Sequence, residues 1–94
     1  RSSELPVRIA AVQSLIDLRR QADGTVDESS LKLARPAYLE GLESENAAVR
    51  HAAALAVEAL GTQGAEFLTA VRAMRQIDKE YAARVADAIL ASHK

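Results

Sequence analysis

The chain has ninety-four residues, twelve Lys+Arg against thirteen Asp+Glu and a net charge of −1, which bounds it to one small domain. That balance leaves no general basic footprint for nucleic acid or an acidic membrane. With no cysteine there is no disulfide framework and no thiolate metal site, and no apolar run approaches the roughly 18 residues of a membrane helix.

Twenty alanines and only three aromatics rule out a core built on large rings. Close helix–helix packing must supply it. Apolar residues recur at three and four, not two, so the expected fold class is all-α, with about five helices. The chain opens on Arg1, and the expectation is a single domain over residues 1–94 that is a piece of a larger protein.

The first helix is expected from about Glu4 to Arg20, capped by Ser3, with Pro6 in the first turn where a missing N–H costs nothing. Its apolar stripe reads Val7, Ala10, Ala11, Leu15 and Leu18. Gln21 to Ser29 is a polar loop turning at Gly24. It fails as a calcium loop, since the twelve-residue frame puts Arg19 where the first carboxylate belongs and Ser30 where the last belongs. Ser29 or Ser30 is then the cap of the second helix, about Leu31 to Glu43, with Ala34, Tyr38 and Leu42 inward. Pro36 either kinks that helix or marks its true first turn.

The third helix carries the cleanest pattern. Val49, Ala52, Ala53, Ala56, Val57 and Leu60 form one stripe, with Asn46 as N-cap and Gly61 as C′ residue. Shifted back by forty-two positions, most of it falls on the stripe of the first helix, an internal repeat. The fourth helix follows Gly64 with Phe67, Val71, Met74 and Ile77 inward. Asp78-Lys79 is a polar break. The fifth helix spans about Glu80 to Ser92, with Tyr81, Val85, Ala88 and Ile89 on one face and Ala82, Ala86 and Leu90 beside it.

Asn46-Ala-Ala-Val-Arg50, the following Ala52 and Ala53, Leu60-Gly61 and Gly64 resemble the short bacterial type of HEAT repeat. The preceding segment from Ala34 to Leu42, Pro36 included, looks like that family's second helix. The resemblance implies a short α-α superhelix, an armadillo-type solenoid of about two and a half repeats. It also implies a charged ladder at Glu4/Arg8, Asn46/Arg50 and Glu80/Arg84, in which the Arg reaches an acid of the adjacent repeat and fixes stacking. On the concave side it would place Lys32, Arg35, Arg72 and Arg75.

The chemistry expected is non-catalytic. His51 and His93 lack ligand spacing and any Cys nearby, so no metal site is expected. No glycine-rich phosphate loop or serine–histidine arrangement appears, and no cofactor is expected. The leading expectation is a protein-binding or scaffold module whose partner is another protein or the rest of a longer chain, with homo-oligomers as a further possibility. A second is an accessory C-terminal domain of an enzyme such as a bacterial hydrolase or metallo-aminopeptidase. The third is weak nucleic-acid binding on the basic concave face, against which Glu40, Glu43 and Glu66 on the same helices argue.

Overall fold

A computed structural model describes residues 4–93. Five α-helices make up the fold: α1 Leu5–Arg19, α2 Glu28–Leu42, α3 Ala47–Ala59, α4 Leu68–Ile77 and α5 Ala83–Ser92. A 3-10 segment, Gly61–Phe67, joins α3 to α4, and no strand occurs among the described residues. The all-α class read from the periodicity is therefore correct.

α1 packs on α2, α2 on α3 and α4 on α5, while α3 reaches α4 through the 3-10 segment; α1 also meets α3, α2 meets α4 and α3 meets α5. The central helix is α3, and it shows in its burial. Val49, Ala53, Ala54, Ala56 and Val57 are all buried, on two sides of the helix. Small alanines make this possible, because they let neighbouring backbones approach from both flanks. Gly41 of α2 serves the same purpose at the α1–α2–α3 junction. A Cβ there would lie 2.7 Å from both Ala53 Cβ and Ile9 Cδ1.

On α1 the buried set is Leu5, Ile9 and Ile16, with Val12 partly buried against the core. The expected stripe faces outward: Val7 is 69% exposed and Leu18 84%, Ala10 and Ala11 are exposed too, and only Leu15 is half-buried. Two apolar stripes compete on this helix, and the one with the larger side chains lies inward because it removes more apolar area from water. The internal correspondence shifts with it. Leu5, Ile9, Val12 and Ile16 match Val49, Ala53, Ala56 and Leu60 at forty-four positions, not forty-two. Glu4 stands at the N-cap of α1 without a side-chain cap bond, and the expected cap Ser3 lies outside the described residues.

The cap of α2 is Asp27, ahead of both expected serines. Its carboxylate accepts from Ser29 Oγ, from Ser30 Oγ at 2.8 Å and from Ser30 N at 3.2 Å. Those serine hydrogen bonds, Ser29 first, hold its pKa down at about 2. α2 runs through Pro36 as one element, with the ring on the exposed side. The loop before it is pinned by Val26, which is buried while its backbone is held at both ends. Val26 N donates to Gln63 Oε1 at 2.6 Å, and Gln63 Nε2 donates to Val26 O at 2.7 Å. One amide side chain thus imitates a strand neighbour and ties the loop to the 3-10 segment.

Tyr38 and Phe67 anchor the core between α2 and α4, with ring centroids 5.9 Å apart. The Tyr38 hydroxyl donates to Gln13 Oε1 at 3.1 Å, and burial pushes its pKa up to about 12. Asn46 caps α3 as expected, accepting from Ala48 N and Val49 N, and Gly61 takes φ 63 just past its end. Ile77, expected inward, is 72% exposed because the chain turns at Asp78. α5 starts at Ala83, three residues later than expected, with Ala82, Ala83, Ala86 and Ile89 buried and Tyr81 and Ala88 outside.

Candidate interaction surface

The only strongly buried ion pair among the described residues joins α3 to the turn before α5. Arg50 Nη2 lies 3.1 Å from Asp78 Oδ2, with side-chain exposures of 12% and 2%. Arg50 Nε donates to the same oxygen at 3.2 Å, and Nη1 donates to Ser44 O at 2.9 Å. The other carboxylate oxygen, Asp78 Oδ1, accepts from the amides of Glu80, Tyr81 and Ala82 at 3.2, 2.7 and 3.0 Å. Burial pushes the Asp78 carboxyl up. The Ala82 amide, the Arg50 guanidinium and the Tyr81 and Glu80 amides outweigh it, so its pKa lies below the ordinary carboxylate value. Reading Asp78-Lys79 as a polar break missed this knot. The available signal was an Asp just ahead of a helix, a residue type suited to accept orphan amides.

The other expected ladder positions are placed differently. Arg8 pairs with Glu40 on α2 at 3.1 Å, an exposed contact, while Glu4 is in none of the ion pairs among the described residues. Asn46 spends its side chain on the α3 cap, and its carbonyl accepts from Arg50 N at 3.0 Å. Glu80 and Arg84 are exposed, and neither enters an ion pair among the described residues. The structural register of α5 explains this. Ala82 and Ala86 occupy the places of Val49 and Ala53, thirty-three positions on, so Arg84 does not correspond to Arg50.

The four candidate cations on α2 and α4 divide in two. Arg35 pairs with Glu66 and, at 3.4 Å, with Glu28. The Glu66 hydrogen bond raises its pKa. Arg75 pairs with Asp87 at 2.9 Å. Lys32 and Arg72 are exposed and take part in none of the ion pairs among the described residues. Leu33, beside Lys32, is 54% exposed. The face therefore offers two unneutralised cations with an apolar side chain, not a continuous basic strip.

Two depressions lie elsewhere. One, of about 260 Å³, is an apolar trough between α1 and α3 lined by Pro6, Ile9, Ala10, Gln13, Ala52, Leu55 and Ala56. The other, of about 350 Å³, lies over the Arg50–Asp78 knot, between Ala47, Ile77 and Tyr81. His51 sits edge-on to Tyr81, with centroids 5.4 Å apart, and His93 Nε2 lies 3.1 Å from Gly61 O. No group of three metal-ligating side chains occurs among the described residues. No helix there is long and apolar enough to cross a membrane. No protein-family model, curated protein or solved structure matches this chain.

Proposed function

We propose that this chain is a non-catalytic interaction module, a short stack of helix pairs of the HEAT-like kind that presents the exposed side of α2 and α4 to a protein partner. The contacts of α1 with α3, α2 with α4 and α3 with α5 support stacking of successive pairs. The observation that carries the reading is how the polar groups are used. The buried ones, Ser30 and Asp78, cap and tie helices, and no buried side-chain nitrogen or oxygen among the described residues lacks a hydrogen-bond partner. None is held in reserve for chemistry.

What is left over is surface. Exposed Lys32, Leu33 and Arg72 suit a protein segment carrying acidic and apolar side chains together. Two cations neutralise too few phosphates for useful nucleic-acid affinity. An accessory role beside a catalytic domain in a longer protein uses the same surface and requires no active group here. The test is a photo-reactive amino acid at position 32 or 72 in source cells, compared with one at position 19. Capture of the same protein from 32 and 72 but not from 19 is expected. Equal capture from all three sites, or capture of nucleic acid, defeats the reading.

A further inference from the structure

We propose that the depression over the Arg50–Asp78 knot holds the C-terminal carboxylate of a partner polypeptide that ends in an apolar residue. The depression measures about 350 Å³ and lies where the first turn of α3 meets the turn before α5, with Ala47, Arg50, Lys79 and Tyr81 in its lining. The fold does not exhaust the guanidinium. An arginine carries five N–H donors. Arg50 spends Nε on Asp78 Oδ2, one N–H of Nη1 on Ser44 O and at most one of Nη2 on Asp78 Oδ2. Two N–H groups remain without a partner among the described residues, on a side chain already fixed from two sides.

The surroundings favour an anion. Lys79 is exposed and enters none of the ion pairs among the described residues. Ala47 opens α3, and the Asn46 side chain takes the amides of Ala48 and Val49, not that of Ala47. The positive end of the helix therefore faces the same place. Asp78 opposes little, because Oδ2 is met by Arg50 and Oδ1 by three amides. A second carboxylate on one guanidinium is within the reach of this fold, since Arg35 pairs with both Glu28 and Glu66. The opposing rim charge is Glu80, which is exposed and outside every ion pair among the described residues.

The walls select the occupant. Ile77 is 72% exposed and Tyr81 58%, and the Tyr81 ring is held edge-on to His51. The ligand must carry a carboxylate and an apolar group side by side. A chain ending in an apolar residue has both on one residue, whereas an Asp or Glu side chain and a phosphate carry no such group. A free small acid would stay largely in water between walls this exposed, and small-molecule sites enclose most of their ligand. A chain end needs only its last residue held, with the rest lying along Ile77. None of Lys32, Leu33 and Arg72 lines this depression, so either surface can fail alone.

The probe is an acetylated pentapeptide of four alanines and a terminal leucine, titrated to about 5 mM into the isotope-labelled chain and followed by NMR. Saturable shifts are expected at the amides of Ala47, Arg50 and Lys79 to Ala82. Amidating the peptide removes its terminal charge and should weaken binding at least tenfold or thereabouts. Because Arg50→Ala disturbs the knot itself, rim variants carry the test. Lys79→Ala should weaken binding about threefold and Glu80→Gln should tighten it. The absence of saturable shifts at these amides, equal binding of the amidated peptide, shifts centred on Lys32 and Arg72, indifference to both rim variants, or N-acetylleucine binding as tightly as the pentapeptide overturns the proposal.

Discussion

Arg50→Ala is the perturbation whose cost follows most directly from the geometry. It removes the ion pair with Asp78 Oδ2, its hydrogen bond from Nε and the hydrogen bond to Ser44 O, from a side chain only 12% exposed. Removing one partner of a buried ion pair costs about 3–5 kcal/mol, because the other charge stays buried. Asp78 keeps its three amide donors through Oδ1, so the lower end, about 3 kcal/mol, applies. For a domain of this size each kcal/mol moves Tm by about 4–8 °C, so a fall of roughly 12–24 °C is expected. Arg50→Lys should recover only part, since one ammonium cannot match the forked guanidinium on Asp78 and Ser44 together.

Acid gives a second readout on the same knot. The folded pKa of Asp78 lies below the ordinary aspartate value of 3.8. Its contribution is therefore complete above about pH 4 and is lost as pH falls through the folded value. In Arg50→Ala the guanidinium no longer holds that pKa down, so the gap to the unfolded value narrows and the acid-dependent loss should shrink. Thermal denaturation followed by circular dichroism at pH 3 to 7 measures both effects. An Arg50→Ala midpoint within about 2 °C of the parent, with the same acid profile, refutes the reasoning.

Gly41→Ala places a methyl 2.7 Å from Ala53 and Ile9, and denaturation should show a loss of about 2–3 kcal/mol. Gln63→Ala releases both backbone groups of Val26, which should cost about 1–2 kcal/mol and speed hydrogen exchange at the Val26 amide. Ile16→Ala should cost about 2–5 kcal/mol, while Leu18→Ala, two residues away but 84% exposed, should stay within about 0.5 kcal/mol. Asp27 has its pKa lowered to about 2, so its contribution is present above about pH 4 and lost towards pH 2. Asp27→Asn should flatten the stability–pH curve in that window.

Where periodicity and caps agreed, the sequence was legible. Asn46, the α3 stripe and Gly61 appear in the structure as the spacing suggested. α1 was harder because it carries two apolar stripes, and position alone does not say which one the fold buries. Side-chain size decides, because burying Leu5, Ile9 and Ile16 removes more apolar area from water than burying the smaller residues of the other stripe. The Arg50–Asp78 pairing and the Gln63 clamp were not legible, because they join residues twenty-eight and thirty-seven positions apart through single side chains. No local spacing records such contacts. Of the surface on α2 and α4, the positions of the cations could be inferred from a family resemblance. Their partial neutralisation by Glu66 and Asp87 emerged only from the packing of the helices.

The proposed role requires the α2–α4 face to engage a protein partner. The most direct measurement is cross-linking in source cells from a photo-reactive residue at position 32, repeated with Arg72→Glu in the same protein. One protein should be captured in the first case and lost in the second, with the fold intact by circular dichroism. Undiminished capture in the Arg72→Glu protein would contradict it.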